Sequence, residues 1–366
     1  MVGEEQTNKM KLFIAIYQMQ DGGAGRVTCT MINGLVERGY EIVLCTDTRL
    51  HEVFYPLSSK VKVISYNNYK KKPEKLQYFI SAVANIRKLV KQEHPDVVIG
   101  VESIFYFLSK VACFGLGYPI VAVDHTSMGR DQGRFINWIR HSLYKRADKL
   151  SLLTQKDSNL AGESFHNKIV IYNPNSFDIL QTDTQRKKNI LCVGRLNVWK
   201  IKGFDRMLKI WAELAPEFPE WTLEIAGDGP ADALSVINSM IKENSLEDRI
   251  HLLGQIKDMQ SLYQNTSIFA LPSRVEGFPM CLIEAMSQGC ACLAFDLQKA
   301  VCEIVEDQVS GSIVEDGNLE EFTKELRNLI NSEEKRIKYN KEARTKVAEF
   351  SVENFCNKWE DLLRQL

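Results

Sequence analysis

The chain has 366 residues, of which 45% are hydrophobic and 25% are charged. This length predicts two domains, and the composition is that of a globular protein and excludes a disordered chain. The formal net charge of −1 gives no overall attraction to nucleic acid.

Nine cysteines are scattered along the chain without a Cys-x-x-Cys pair, and most stand in apolar runs such as ILCVG and ACLAF. This usage predicts reduced core thiols in a cytosolic protein. The start, MVGEEQTNKMKLFIAIYQ, lacks the features of a signal peptide, and no apolar run reaches the length of a transmembrane helix. We therefore expect a cytoplasmic protein, with peripheral contact at the inner face of the membrane left open.

Short apolar runs alternate with longer amphipathic segments through the first half of the chain. The runs KLFIAIY, EIVLCT, VKVIS, DVVIG, PIVAVD, KLSLLT and KIVIY predict strands. Between two of them, KLQYFISAVANIRKLVKQEHP has apolar residues at a period near 3.6 and predicts a helix that stops at Pro95. This alternation predicts a parallel sheet covered on both faces by helices.

A polar stretch, NPNSFDILQTDTQRKK, interrupts the alternation and predicts a linker. The strands NILCVG, WTLEIAG, RIHLLG, SIFALP, ACLAF and GSIV follow, and three helical segments close the chain. We expect one domain over residues 1–173, a linker over 174–188, a second domain over 189–346 and a final helical segment over 347–366. A ligand is expected in the crevice between two such domains, at the carboxyl ends of their strands.

The segment QDGGAGRV follows the first strand and opens a helix. Gly22 and Gly23 would let the backbone approach a ligand, and the helix N-terminus behind them would offer N–H groups to an anion. The segment is not the dinucleotide motif Gly-x-Gly-x-x-Gly. Glycine that serves packing alone explains the turn equally well.

Two cations stand between a strand and a helix in CVGRLNVWKIKGFDRML. Arg195 and Lys202 there could hold a diphosphate, since arginine offers a planar fork of donors and lysine a point charge. A solvated loop with surplus cations, Lys200 among them, is the alternative.

The segment SRVEGFPMCLIEAMSQG carries two glutamates eight positions apart. Pro279 suits the start of a helix and Gly289 its end, which places Glu276 in the preceding loop and Glu284 inside the helix among apolar residues. A buried carboxylate needs partners, such as the hydroxyl pair of a sugar or an arginine. The residues alone favour a structural salt bridge for Glu284.

His125 follows the strand VAVD at a place where it could donate a hydrogen bond to a ligand. No metal-ligand spacing and no Asp-x-Asp occurs, so we expect neither a metal nor another cofactor. Two basic stretches with aromatic residues, YNNYKKKPEK and GRFINWIRHSLYKR, fit a solvated helix face or contact with anionic lipid.

Taken together, these segments resemble the retaining glycosyltransferases of the GT-B fold, family four, also called glycosyl transferases group 1. The resemblance spans nearly the whole chain and rests on the GG turn followed by INGLVERGYEIVLCT, on GRL with KGFDRML, on IAGDGP, and on LPSRVEGFPMCLIEAMSQG with its Glu-x7-Glu spacing. It implies an α/β fold of two Rossmann-like domains that face a central crevice. The first domain would lie on the acceptor side and the second would bind the donor.

The resemblance also implies a role for each candidate residue. Arg195 and Lys202 would hold the donor diphosphate and stabilise charge on the leaving nucleotide. Because their spacing of seven is longer than is common in the family, Lys200 could replace Lys202. Glu284 would bind the ribose hydroxyls, while Glu276 and His125 would contact the donor sugar. The other expected donor contacts are Gly22, Gly23, Gly277, Phe278, Pro279 and Met280, of which Pro279 has no N–H to offer.

The activity implied is metal-independent, retaining transfer of a hexose or N-acetylhexosamine from a nucleotide-diphosphate donor, with UDP the expected nucleotide. The acceptor would be a glycan or a lipid-linked glycan in the synthesis of lipopolysaccharide, capsule or another cell-surface polysaccharide. The stretch LQKAVCEIV lacks the Gly-Pro pair that often precedes the family's acid at Glu303, so the donor sugar stays open. Alternatives are a nucleotide-sugar epimerase of similar fold, a two-domain sugar-binding protein and an inactive relative.

Overall fold

A computed structural model describes residues 9–19, 22–48, 53–67, 75–182, 185–297 and 300–366. The chain divides into two compact units, of which the first comprises Met1–Pro174 with Val352–Leu366 and the second comprises Asn175–Ser351. Among the residues described, no helix has the length and apolar character that crossing a membrane requires.

Each unit contains one sheet in which every strand pair is parallel. The first sheet has the strand order β3-β2-β1-β4-β5-β6-β7, and the second has the order β10-β9-β8-β11-β12-β13. The strands are β1 (Lys11–Ala15), β2 (Glu41–Thr46), β3 (Lys62–Ser65), β4 (Val97–Val101), β5 (Ile120–Val123), β6 (Lys149–Leu152), β7 (Lys168–Val170), β8 (Lys187–Val193), β9 (Thr222–Ala226), β10 (Ile250–Gly254), β11 (Thr266–Leu271), β12 (Ala291–Asp296) and β13 (Ser312–Glu315).

Helices connect most of the successive strands, as is common for parallel pairing. The α-helices are α1 (Gly23–Glu37), α2 (Lys75–Glu93), α3 (Ser103–Ala112), α4 (Arg134–Trp138), α5 (Gln155–Ala161), α6 (Phe204–Leu214), α7 (Ala231–Glu243), α8 (Met259–Gln264), α9 (Met280–Ser287), α10 (Leu319–Asn331), α11 (Glu333–Val347) and α12 (Val352–Leu363). A π-helical turn, Ile139–Leu143, continues α4.

The sheets are buried on both faces because helices cover them. All residues of β4, β5 and β11 are buried, which explains their nearly continuous apolar sequences. Each predicted strand is present, and the two parallel sheets confirm the predicted α/β class.

The final helix, α12, packs against α1 within the first unit. Gly34 of α1 makes this contact possible, because a β-carbon there would collide with the Cys356 sulfur. Ion pairs from Lys9 Nζ (2.8 Å) and Arg38 Nε (3.5 Å) to the Glu360 carboxylate add to the contact, and Trp359 is buried.

The element bounds differ from the predicted domain limits at two places. The second unit begins at Asn175 and β8 begins at Lys187, so the predicted linker 174–188 includes residues of that unit. The final helix begins at Val352, later than the predicted 347, because the 3-10 turn Ala348–Phe350 separates it from α11.

Candidate active site

In the second unit, an ion pair joins the two loops that were predicted to hold the donor. Lys202 Nζ lies 2.8 Å from Glu276 Oε1, and the Ser273 hydroxyl donates a hydrogen bond to the same oxygen at 2.8 Å. Burial lowers the pKa of Lys202, but the Glu276 carboxylate outweighs it, so the net pKa is raised. The lysine is therefore a fixed positive charge at the carboxyl edge of the sheet.

The other two cations of this region are exposed. Lys200 lies with its Nζ 5.1 Å from the centre of the Trp199 ring, and Arg195 makes no ion pair with a described residue. Of these two lysines, Lys202 is the one that pairs with Glu276 among the residues described. Arg195 follows β8 with a side chain reachable by a ligand.

A second ion pair, which the sequence analysis missed, fixes the loop that carries Glu276. Arg274 donates from both terminal nitrogens to the Asp205 carboxylate, at 2.7 Å each, and its main-chain N–H donates to the Ile201 carbonyl at 2.8 Å. Burial raises the pKa of Asp205, but Arg274 outweighs it and the net pKa is lowered, so the pair is charged. Asp205 lies three residues beyond Lys202, so this pair fixes the loop that carries Glu276 relative to the loop that carries Lys202.

Close backbone packing at two glycines brings these loops together. Gly203 has a φ of +71°, and a β-carbon there would collide with the Pro272 carbonyl. At Gly227 in the IAGDGP segment, a β-carbon would collide with the Gly194 carbonyl. Any other residue would force the neighbouring strand exits apart.

Helix α9 carries Glu284, which is only 5% exposed. The Tyr263 hydroxyl donates a hydrogen bond to Glu284 Oε2 at 3.3 Å. The salt bridge that the residues alone favour for Glu284 stays a prediction. The tyrosine comes from α8, and no spacing in the sequence indicated it.

The loop before α9 contains the remaining predicted donor contacts of this unit. Pro279 precedes the first helical residue, Met280, and Phe278 packs edge-on against Phe350 at 5.7 Å between ring centres. Gly277 links this anchored phenylalanine to Glu276. Because the first N–H groups of a helix lack partners within it, this end of α9 is suited to an anion.

The thiol of Cys281, in the first turn of α9, lies close enough to Lys202, Glu276 and Glu284 for their charges to affect it. Burial raises its pKa to about 12. The thiol stays protonated at neutral pH and is not a nucleophile. Glu303 lies in the 3-10 turn Val301–Glu303, and residues 298–299 before this turn are outside the described residues.

In the first unit, Gly22 precedes α1 and Gly23 is its first residue. A β-carbon at either position would meet no described atom within 4 Å. Gly22 has a φ of +150°, and its N–H donates to the Tyr55 hydroxyl at 3.2 Å. Gln20 and Asp21 of the motif lie outside the described residues.

His125 follows β5 and lines a small internal cavity. Its Nδ1 is buried and makes no hydrogen bond with a described residue, and the same holds for polar atoms of Thr28, Asn173 and Trp359, which line the same cavity. Burial lowers the pKa of His125 to about 4, so the ring is neutral at pH 7. A neutral imidazole has one N–H and can donate a single hydrogen bond without carrying charge.

A buried ion pair fixes the loop that carries His125. Arg140 donates from Nε to Asp124 Oδ2 at 2.8 Å, and both side chains are fully buried. Three further guanidinium N–H groups donate to the carbonyls of Thr126 and Ser127, at 2.9 and 2.6 Å, and to that of Arg130 at 2.9 Å. One arginine of the basic stretch GRFINWIRHSLYKR is therefore internal and shapes this loop.

The buried state of His125 predicts a pH dependence of stability. The pKa of His125 is lower in the folded chain than in the unfolded chain, so the unfolded chain takes up a proton first as the pH falls below about 6.5. The stability that the neutral ring contributes is therefore lost as the pH falls from about 6.5 to about 4. Between pH 6.5 and pH 5, we expect the free energy of unfolding of His125→Asn to fall by about 1–2 kcal/mol less than that of wild type.

The measurement is the unfolding midpoint in urea over that pH range, with the exposed His94→Asn as the control. His94→Asn should follow wild type. If the stability of wild type and that of His125→Asn change equally with pH, the result would contradict a buried neutral imidazole.

Each of the two units matches a known protein family. Residues 21–173 match the model described as Glycosyltransferase Family 4, and residues 177–346 match the model described as Glycosyl transferases group 1. The two matches fall one in each unit and leave only short segments of the chain uncovered.

Two relatives extend over almost the full length of the chain. The amylovoran biosynthesis glycosyltransferase AmsD of Erwinia amylovora is 29% identical, over 96% of this chain and 99% of its own. A GalNAc-α-(1->4)-GalNAc-α-(1->3)-diNAcBac-PP-undecaprenol α-1,4-N-acetyl-D-galactosaminyltransferase of Campylobacter jejuni is 25% identical, over 98% and 99%.

The crystal structure of HepE from Anabaena in complex with UDP and glucose shares the fold. It aligns with a TM-score of 0.79 at 19% identity and covers 98% of this chain and 100% of its own. With the two parallel sheets, this likeness confirms the predicted GT-B fold. The family models match in order along the two halves, and the chain belongs to the group 1 glycosyltransferases of family four.

Proposed function

We propose that this chain is a retaining glycosyltransferase that moves a hexose or N-acetylhexosamine from a UDP-sugar to a glycan or lipid-linked acceptor in cell-surface polysaccharide synthesis. The observation that carries the proposal is the Lys202–Glu276 pair beside the N-terminus of α9, in a chain of this family. The names of the two relatives support the polysaccharide role, and the UDP and glucose bound to HepE support the donor class.

Lys202 suits a diphosphate because of how it is held. An ammonium group has three donors, and Lys202 gives one of them to Glu276, so two are left for phosphate oxygens. The half-buried position makes each of these bonds stronger than in water. Arg195, exposed in the same loop, adds a second positive charge for the diphosphate.

The proposed reaction breaks the bond between the anomeric carbon and the diphosphate oxygen, which keeps the bonding electrons. The acceptor oxygen bonds to the anomeric carbon on the same face, and its proton goes to the departing phosphate. Lys202, Arg195 and the N–H groups at the start of α9 stabilise the phosphate charge as it develops. Neutral His125 donates a hydrogen bond to the donor sugar without adding a positive charge near the oxocarbenium-like centre.

An epimerase, the second reading of the sequence, has no support from the comparisons. Both family models and both relatives are transferases by name. An epimerase also would change the donor without any acceptor, which gives the two functions different products.

Donor binding gives the first test. We expect UDP and one UDP-sugar, and not GDP, ADP or CMP, to raise the melting temperature by several degrees, because ligand at a hundred times its Kd stabilises by about 2.7 kcal/mol. Lys202→Met and Glu284→Ala should weaken UDP binding about tenfold or more, since each removes a charged hydrogen-bonding group.

Lys200→Met is the matched control for Lys202→Met, because Lys200 is a lysine of the same loop that does not contact Glu276. Its affinity for UDP should equal that of wild type. If Lys200→Met weakens binding and Lys202→Met does not, the two lysines have exchanged roles. Absence of a shift with every nucleotide in folded wild type would contradict the donor site.

The stereochemistry and metal requirement form a second test. We expect the product to keep the anomeric configuration of the donor sugar, read from the anomeric proton coupling in NMR, and the initial rate to be unchanged by EDTA. The cations Arg195 and Lys202 supply the charge that a metal would otherwise provide. An inverted product or loss of rate with EDTA would contradict these parts of the proposal.

We also propose peripheral contact with anionic membrane through α4. Phe135 and Trp138 are 47% and 48% exposed and stack at 6.0 Å between ring centres, next to Phe107 at 5.4 and 6.3 Å. Arg134 is exposed on the same short helix. Exposed aromatic rings beside cations fit the interface of an anionic bilayer. Residues 68–74 of the other basic stretch lie outside the described residues.

The test is sedimentation with vesicles of phosphatidylglycerol or of phosphatidylcholine alone. We expect wild type to sediment with the anionic vesicles only, and the double variant Phe135→Ser, Trp138→Ser to stay in solution. Val236→Ser, an exposed apolar residue of the second unit, is the control and should behave as wild type. Equal sedimentation of the double variant would contradict contact through α4.

A further inference from the structure

Glu102 has an unusual backbone conformation at the carboxyl end of β4. Its φ is +68° and its ψ is 155°, in a region that glycine occupies almost exclusively. Three other non-glycine residues of the described chain have a positive φ: His94, Ser245 and Gln308. His94 and Ser245 come just after α2 and α7, where a left-handed residue commonly ends a helix. Glu102 instead joins a strand to the start of α3.

The surrounding structure holds Glu102 in this conformation. Its N–H donates to the Val123 carbonyl at 2.8 Å, and its carbonyl accepts from the Tyr106 N–H at 3.0 Å. Gly100, two residues earlier, lies so close to the first turn of α3 that a β-carbon there would collide with the Tyr106 backbone. The strand and the helix therefore fix the backbone from both sides, and a glutamate at this position costs stability that a glycine would not.

The Glu102 side chain makes no hydrogen bond and no ion pair with any other residue that the structure describes. It is partly exposed, and the charged groups that act on it are Asp124 and Arg140. Burial and the nearby Asp124 carboxylate raise its pKa to about 8, although Arg140 opposes the shift. A carboxyl group in this state both donates and accepts hydrogen bonds at neutral pH.

The register of the sheet places Glu102 beside the His125 loop. Strands β4 and β5 are parallel neighbours with Val101 opposite Val123, so Glu102 leaves the sheet opposite Asp124. The carboxyl ends of parallel strands are where α/β domains bind their ligands. Glu102 thus combines a strained backbone, an unused carboxyl group and a place on the ligand-binding edge.

We propose that Glu102 binds a hydroxyl group of the sugar acceptor, an inference that rests on the proposed function. The charged groups assigned to the donor diphosphate lie in the second unit, whereas Glu102 belongs to the first, the unit predicted to hold the acceptor. A carboxyl group that can both donate and accept matches a sugar hydroxyl, which does the same. The strain is then the cost of placing a polar side chain at this strand end.

Stability measurements test the strain without any substrate. We expect Glu102→Gly to melt a few degrees above Glu102→Ala, because only glycine adopts this conformation freely. His94→Gly is the control, since it also relieves a positive φ in the first unit but lies away from the carboxyl edge of the sheet. A Glu102→Gly variant that melts below Glu102→Ala would overturn the strain argument.

Kinetics test the ligand. The probes are UDP-glucose, UDP-galactose, UDP-GlcNAc and UDP-GalNAc as donors, with the octyl glycosides of the same four sugars as acceptors. We expect Glu102→Ala and Glu102→Gly to raise the KM for the octyl glycoside about tenfold or more, and Glu102→Gln to raise it less because its amide still forms hydrogen bonds. The Kd for UDP and the acceptor-independent hydrolysis of the donor should not change, and His94→Gly should match wild type.

An unchanged KM for the octyl glycoside in Glu102→Ala would overturn the inference and leave the proposed function intact. An equal loss of UDP binding, donor hydrolysis and transfer in Glu102→Ala would also overturn it, because the residue would then support the whole site. Wild-type protein that neither binds UDP nor consumes a UDP-sugar would contradict the proposed function, and the inference with it.

Discussion

The parallel direction of every strand is the constraint on which the candidate site depends. In a parallel sheet all carboxyl ends lie along one edge, so each strand exit adds its loop to the same edge. In the first unit this brings together the Gly22 turn, Glu102 and His125, and in the second it brings together Arg195, Lys202 and Glu276. Residues separated by scores of positions in the chain become neighbours for this reason alone.

Buried or half-buried ion pairs then fix the loops at these edges. Arg140 and Asp124 hold the turn after β5, and Arg274 and Asp205 hold the loops after β8 and β11. Charges removed from water cost free energy unless their hydrogen bonds are satisfied, and Arg140 meets that condition with three carbonyls besides its carboxylate. Such pairs add little to the stability of the fold, but they hold each loop in one conformation. A site that must hold charges at fixed positions requires such loops.

Four buried polar side chains that line one cavity of the first unit each have an atom without a hydrogen-bond partner among the described residues, and His125 is one of them. The other three are Thr28, Asn173 and Trp359, and at the neighbouring strand end the Glu102 carboxyl group pairs with no residue that the structure describes. In the second unit, by contrast, Glu276 and Glu284 are hydrogen-bonded within the protein. The first site is thus rich in groups that a ligand hydroxyl could satisfy, and the second is rich in fixed charge.

The sequence by itself determined the strands, the two parallel sheets, the loop positions of Lys202, Glu276 and His125 after strands, and the position of Glu284 inside a helix, because periodicity and the Gly and Pro signals are local. It left Lys200 and Lys202 open and missed the Arg274–Asp205, Asp124–Arg140 and Tyr263–Glu284 contacts. Only the tertiary structure decided these, since each joins residues distant in the chain or depends on which side chain becomes buried. The strain at Glu102 is also tertiary: no local pattern places a glutamate in a glycine conformation, and β5 and α3 together impose it.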